Sequence, residues 1–374
     1  MIDTIVLNLS KKMYRISNSD KFEPSAQCIT NFSKIIRSIK SKQNPTKKEL
    51  LAGIYKPRLT LVNKMNKNGI IEPLLKIELS LPKLLFGNNF DELQYKDFLL
   101  VTKKLESVLK QMGVMTNAKI LSQASVAAIH YSKNIPLMDG STPYYFIQKI
   151  KEANIKFSLD VNQTDYRNDG HSFKWHCNAY EVVFYDKIKD LEKSKQSSKR
   201  TLEKDGDLQL NIFSKLKKRK KFEVFRMEVR LNKKQKIKQL FKTLGIKSDL
   251  TFKKLFKPAI SKKVLLHYLD ELNNKRPIFL DYKKTNTRSL LVDLIFNNPG
   301  LGPSQILRLI GLKYVLESIT CRELRTMFAN YNKRSWYRLM AETKKVKLPE
   351  IQNPFGIIKE HLIKFKPLRL EKFK

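Results

Sequence analysis

Cysteine is scarce. Cys28, Cys177 and Cys321 stand far apart in 374 residues, and no two form a Cys-x-x-Cys pair. That spacing excludes a zinc module and a disulfide scaffold, and it fits a reducing compartment. No apolar run approaches the ~18 residues that span a bilayer, so no membrane partner is expected. The opening Met-Ile-Asp-Thr-Ile-Val-Leu-Asn-Leu alternates like a strand and carries an early acid, unlike a secretory signal. A Gly-x-x-x-x-Gly-Lys-[Ser/Thr] phosphate loop is missing, so ATP-driven chemistry has no sequence support; His-Glu-x-x-His, Gly-x-Ser-x-Gly and internal repeats are missing too.

Acidic residues are also in short supply. There are 35 Asp and Glu against 74 Lys and Arg, a formal net charge of +39. An AT-rich genome accounts for lysine being used in place of arginine, but not for acids failing to keep pace. Such an excess predicts a polyanionic partner, most simply nucleic acid. A ribosome-like or membrane-surface protein is the alternative. With 10% aromatic and 41% hydrophobic residues, the chain has the means to fold and is no basic tail.

Taken in order, residues 2–9 read as a strand, and a helix is expected near Thr30–Lys40. Arg58–Asn63 and Leu74–Leu79 read as a hairpin, with Asn66, Asn68 and Gly69 in its loop. A Gly87-Asn88-Asn89 turn precedes an amphipathic helix expected from Asp91 to Met112. Ala124–Ser132 is strand-like, and alternation puts Val126 and Ala128 on the face of His130. Pro143–Ala153 suits a helix and Ile155–Val161 a strand.

Residues 172–189 read as one strand that ends on Tyr185 and runs into Lys187 and Lys189. In the strand period Glu181, Val183 and Tyr185 share a face; strict alternation points His176 away from them. A strand-end tyrosine beside lysines, in so basic a chain, is a candidate nucleophile for phosphodiesters. A packing residue with a wet hydroxyl is the commoner fate. The basic arm 193–221 follows and ends in five cations, Lys217, Lys218, Arg219, Lys220 and Lys221, read either as a DNA contact or as solvated surface. Along Phe222–Leu231, Arg226, Glu228 and Arg230 share one face and Phe225, Met227 and Val229 the other. Arg-x-Glu-x-Arg holds a carboxylate for a metal or phosphate site, or makes cross-strand ion pairs on an exposed face.

From Lys233 onward the pattern is helical. Gly302-Pro303-Ser304 starts a helix, Gly311 is expected to stop it, and another helix is expected over Thr320–Tyr331, at helix-turn-helix spacing. The expected fold class is α+β: an antiparallel-sheet nuclease domain with helices on one face over 1–245, then an all-α, helix-turn-helix-like DNA-binding domain over 246–374.

Five stretches, in order, resemble the gene II/X group of rolling-circle replication initiators from filamentous phages and related plasmids. They are the opening Met-Ile-Asp-Thr-Ile-Val-Leu; Ser80-Leu-Pro-Lys-Leu-Leu-Phe-Gly-Asn-Asn-Phe-Asp-Glu-Leu93; Val126-Ala-Ala-Ile-His-Tyr-Ser-Lys133; Phe184-Tyr-Asp-Lys-Ile-Lys-Asp-Leu191; and Phe225-Arg-Met-Glu-Val-Arg-Leu231. Together they span residues 1–232. The resemblance implies an endonuclease that nicks one DNA strand at an origin through a tyrosine, keeps the 5′-phosphate as phosphotyrosine, and later rejoins the strand. It implies Tyr185 as nucleophile and Glu228 as a ligand of Mg²⁺ or Mn²⁺. His130 stands where the family usually has an aspartate, a departure that suits Mn²⁺ better than Mg²⁺. Asp190 replaces the usual glutamate after Tyr-x-Lys. Implied partners are single-stranded or extruded origin DNA and the host's replicative helicase and polymerase, in the cytoplasm of a bacterial cell.

The chemistry asks for these types. A phenol with a pKa near ~10 needs a cation or metal nearby to ionise, and Lys187 or Lys189 can serve. Phosphotyrosine conserves the phosphodiester, so rejoining needs no ATP. Two rivals stay open: a DNA-binding protein without catalysis, such as a regulator or degenerate initiator, and a relaxase- or transposase-like strand transferase.

Overall fold

A computed structural model describes residues 1–24, 40–46, 48–49, 52–65, 71–153, 160–162, 170–190, 223–282, 286–349, 351 and 353–369. The helix expected at Thr30–Lys40 (but for Lys40), the 66–69 loop, most of the strand expected at Ile155–Val161 and the whole 193–221 arm lie outside the described residues.

Ten strands make one sheet. In chain order, counting a separate two-stranded pair (β2 Arg15–Ile16 with β7 Val114–Met115), they are β1 Ile2–Ser10, β3 Glu23–Pro24, β4 Lys40–Gln43, β5 Arg58–Met65, β6 Ile71–Ser80, β8 Ser125–Leu137, β9 Asp160–Asn162, β10 Ser172–Cys177, β11 Tyr180–Asp186 and β12 Glu223–Leu231. The order across the sheet is β3-β4-β5-β6-β1-β8-β12-β11-β10-β9, with every neighbouring pair antiparallel. The fold is therefore α+β, as expected. β8 and β12, far apart in sequence, sit at the centre, so their polar face is flanked by strands on both sides.

The helices are α1 Leu81–Phe86, α2 Phe98–Gln111, α3 Ala118–Ser122, α4 Pro143–Lys151, α5 Lys234–Thr243, α6 Phe252–Leu255, α7 Pro258–Asn273, α8 Thr287–Asn297, α9 Pro303–Ser318, α10 Cys321–Met327, α11 Lys333–Lys345 and α12 Gly356–Lys364. α2 is shorter than the amphipathic helix expected over Asp91–Met112. The Asp97 carboxylate accepts from Gln94 N at 2.7 Å and closes a 3₁₀ turn first. Residues 87–93 are thereby left as a loop. Gly87 makes that loop possible: at φ +71° it ends α1 in the left-handed region, its N–H returning to Lys83 O at 3.0 Å.

Two hydrophobic cores divide the chain otherwise than at residue 245. The first joins the apolar sheet face to α2, α4, α5, α6 and α7, and also to Phe355, Ile358 and Leu362 of the last described segment. The second is built from Phe279 to Val346 alone. The helices of 246–273 and 355–362 thus belong with the sheet. Arg276 stands at the junction, buried, donating to Asp281 Oδ1 and Oδ2 at 2.7 Å each and also to Glu152. In the second core α9 runs straight through Gly311, which was expected to stop it; Ile306, Leu309, Ile310, Leu312 and Leu316 bury one continuous stripe, and that burial outweighs one weak helix former. No helix among the described residues is long and apolar enough to cross a membrane.

Candidate functional site

Three cross-strand rows make a polar patch on the face of β11, β12 and β8 opposite the core. Tyr185, Arg226 and Asn134 are aligned; then Val183, Glu228 and Ser132; then Glu181, Arg230 and His130. Side chains of paired residues leave a sheet on the same side. The registers alone therefore bring Tyr185, Glu228, His130, Arg226 and Arg230 together from three separate stretches of chain.

Two irregularities decide who joins them. The pairing of β1 with β8 slips between Val6↔Ala128 and Leu7↔Val126. This bulge places Val126 in the core with Ile129 and Tyr131, not on the face of His130. A second slip, between Ile2↔Tyr131 and Ile5↔Ile129, brings Asp3 within 2.9 Å of Arg226 (Oδ1 to Nη2). Nor are residues 172–185 one strand. They turn at Asn178-Ala179, so His176 stands opposite Glu181 on the same face as Tyr185. Alternation counted across that turn had put His176 on the wrong side.

Glu228 is the electrostatic centre. It is buried, and Arg230 Nε donates to its Oε1 at 2.9 Å. Arg226 Nε lies 3.7 Å from Oε2, and the Tyr185 hydroxyl donates to Oε2 at 3.4 Å. Burial pushes the carboxyl upward, but Arg230, Arg226 and His130 outweigh it and bring Glu228 down to about 2. His130 Nδ1 is 3.7 Å from Glu228 Oε1, and its Nε2 is 3.3 Å from Asn232 Oδ1. Burial lowers the His130 pKa against the pull of Glu228, so the imidazole is neutral at neutral pH. Tyr185 goes the other way: burial, reinforced by Glu228, raises it well above 10 against the opposing effect of Arg226.

Arg226, expected to contact DNA, is instead a structural strut. It is 2% exposed and donates from Nη1 to Asn89 O at 3.0 Å and to Asn134 Oδ1 at 3.1 Å. Arg230 is the accessible one: its side chain is 32% exposed, and Nη1 donates to Glu181 Oε2 at 3.1 Å. Lys187 is fully buried. Its Nζ donates to Asn89 Oδ1 at 2.8 Å and lies 5.8 Å from the centre of the Tyr185 ring. Lys189 faces away from the patch, with Nζ 2.8 Å from His171 Nε2. Of the cations, Arg226 bears most directly on the phenol. Lys217, Lys218, Arg219, Lys220 and Lys221 lie outside the described residues.

The residues that sequence reasoning missed form the lid of the patch. Asn88 Oδ1 accepts from Phe90 N and Asp91 N at 2.9 and 2.8 Å, curling the loop after Gly87. That turn aims both ends of Asn89 at the patch, its carbonyl at Arg226 and its side chain at Lys187. Glu92 then accepts from Asn134 N at 2.6 Å and from Lys133 Nζ. The Gly-Asn-Asn signal was visible in the sequence; its distant partners were not. Asn134 had the required period of two from His130, but the strand was expected to end at Ser132.

Among the described residues, no group of three His, Cys, Asp or Glu side chains is arranged to hold a metal ion. His130 and Glu228 make a pair in the protonation states a metal needs, neutral imidazole and carboxylate. Such a pair fits a divalent ion whose other positions are water and substrate oxygen, and its imidazole suits Mn²⁺ better than Mg²⁺. No family model matches the chain, and neither curated proteins nor solved structures match it.

Proposed function

We propose that this protein is a rolling-circle replication initiator of the gene II/X kind, which nicks one strand of its origin through Tyr185 and later rejoins it. The observation that carries this reading is the partly buried Tyr185 hydroxyl, 3.4 Å from an ionised Glu228 that also neighbours a neutral histidine. In the nick, the phenol oxygen forms a bond to phosphorus and the bond to the 3′-oxygen breaks; Glu228 orients the hydroxyl, the phenol proton passes to solvent water, and the leaving 3′-oxygen takes a proton from water to become the 3′-hydroxyl. Rejoining is the reverse, with the 3′-hydroxyl attacking the phosphotyrosine. His130 and Glu228 would hold the divalent ion, Mg²⁺ or Mn²⁺. That ion, when bound, neutralises non-bridging phosphate oxygens. Arg230 is the arginine able to turn to the phosphate, while Arg226 and Lys187 hold the tyrosine and the lid in place.

A path for DNA supports the same reading. Asn232, the partner of His130, leads directly into α5, where Lys234, Lys238 and Lys242 recur at one-turn spacing. They line a surface cleft of about 480 Å³ with Ser125 and Thr251. The strand, single or extruded, would run from this cleft to Tyr185. The host's helicase and polymerase would take over the freed 3′-hydroxyl in the cytoplasm of the bacterial cell.

A non-catalytic DNA-binding reading is favoured by one feature: burial beside Glu228 disfavours the phenolate form of Tyr185. One experiment separates the two. The protein is incubated with pooled single-stranded DNA of its own replicon and Mn²⁺ or Mg²⁺, beside Tyr185→Phe. A denaturant-resistant adduct lost in the variant supports the nuclease. Tight binding with no adduct, when the pool contains the origin, supports the binding protein. An adduct retained in the variant moves the nucleophile elsewhere.

A further inference from the structure

The second core carries a feature that the nuclease reading does not use. Between α9, the turn 328–332 and the start of α11 lies a cavity of about 240 Å³, lined among others by Arg308, Phe328, Tyr331, Trp336 and Arg338. It is smaller than the roughly 300–1,000 Å³ that houses a drug-sized ligand or cofactor. One planar ring system is the size that suits it. Its walls are aromatic: the Phe328 ring lies 5.6 Å from Tyr331 and 6.5 Å from Trp336. Tyr331 and Phe328 are exposed, at 70% and 43%. Trp336 is 7% exposed, and its indole N–H is buried with no hydrogen-bond partner among the described residues.

Charge selects the class of ligand. Residues 303–347 hold ten Lys and Arg against three Glu. One of those glutamates, Glu342, is paired with Arg308 at 2.7 Å. In the same helices Arg325 stacks on Tyr337 at 5.2 Å and donates to its hydroxyl at 2.8 Å, which stiffens a further exposed ring. Flat rings set among cations, around a pocket one ring wide, match an unpaired nucleobase and its phosphates. Every base offers a π-face and several acceptors.

We propose that this cavity binds one unpaired base of single-stranded DNA, stacked on Tyr331 with its edge against the Phe328 ring, which stands at 87° to Tyr331, and with the flanking phosphates towards Arg338. It is a DNA site separate from the Tyr185 patch, and it shares with the nuclease reading only the class of polymer.

The test uses the full chain carrying Tyr185→Phe, so that no strand is cut, and a labelled twelve-nucleotide oligo(dT) beside a mixed-sequence duplex. Tyr331→Ala is expected to weaken oligo(dT) binding roughly 5- to 150-fold, the equivalent of ~1–3 kcal/mol of base stacking, and to leave duplex binding within about twofold. Oligo(dT) is expected to quench tryptophan emission in the parent and not in Trp336→Phe, because Trp175, the second of the two tryptophans, is in the first core. Retained affinity in Tyr331→Ala would overturn the proposal, as would equal losses for duplex and single strand. Displacement of oligo(dT) by poly-glutamate at equal charge would overturn it as well, by making the pocket a generic anion or protein site. Because the readout is binding, a missing Tyr185 adduct would leave these outcomes unchanged.

Discussion

The Tyr185 hydroxyl donates to Glu228 across one diagonal step of the β11–β12 ladder, at 3.4 Å. That contact joins the candidate nucleophile to a carboxylate held by Arg226 and Arg230. The two residues should therefore fail differently when changed. Tyr185→Phe removes one hydroxyl from a half-buried ring; it should abolish the covalent adduct and shift melting by no more than a degree or two. Glu228→Gln leaves two arginines, one of them buried, facing a neutral amide. Breaking such a pair costs roughly 3–5 kcal/mol. This variant should melt well below the parent and lose nicking at least ~100-fold, while oligonucleotide binding measured below its melting temperature survives. Nicking retained in folded Glu228→Gln would remove the carboxylate from the reaction.

Acid should find the same residue. Glu228 titrates near 2 in the fold against an ordinary 4.5. The stability it contributes is fully present above about pH 4.5 and is lost as pH falls through 2. At 1.36 kcal/mol per unit this is on the order of 3 kcal/mol. Urea unfolding at pH 7 and pH 3 should show the parent losing more stability than Glu228→Gln. Parallel losses would mean that other carboxylates carry the acid sensitivity.

Much of the patch was legible in the sequence because strands report on themselves. The alternation of Arg226, Glu228 and Arg230 with Phe225, Met227 and Val229 assigned both faces of β12 correctly. The hairpin expected from Arg58–Asn63 and Leu74–Leu79 is present, with longer strands, Arg58–Met65 and Ile71–Ser80. What failed depended on single residues that change the count. The bulge in β8 reversed Val126, and the turn at Asn178-Ala179 reversed His176. Burial was illegible for another reason. Arg226 reads as a surface cation until Asn89, 137 positions away, is seen to cover it. The division into units was misread because α7 and α12 carry ordinary helical patterns; only their packing shows that they serve the sheet.

The lysine row on α5 predicts a salt effect. Each phosphate contact on a single strand contributes about 0.7 to the slope of log K against log[salt]. Replacing Lys234, Lys238 and Lys242 with glutamine should flatten that slope by about 2 for oligonucleotides that reach the Tyr185 patch. Serine at 217–221 should weaken binding to all sequences alike and flatten the slope further. An unchanged slope in the α5 variant would make its lysines solvated surface and reroute the DNA.

The two cores should melt as two bodies, with the last helix counted in the first. Glu92 accepts from Leu368 N at 2.9 Å and returns its own N–H to Leu368 O at 3.0 Å, so the segment after α12 is fastened beside the lid of the patch. Leu362 of α12 is fully buried in the same core as β8 and β12, and Leu309 of α9 is buried in the other. Removing either side chain to alanine costs roughly 2–5 kcal/mol. Leu362→Ala should therefore lower the melting of the unit that holds Tyr185 and diminish adduct formation near that temperature, although it lies 177 positions from the tyrosine. Leu309→Ala should lower a separate transition, weaken oligo(dT) binding, and leave the adduct intact. Calorimetry with the adduct assay run alongside would decide it. A single transition shifted equally by both substitutions would show that Arg276 couples the cores into one cooperative body, and would make the tyrosine patch answerable to packing around Trp336.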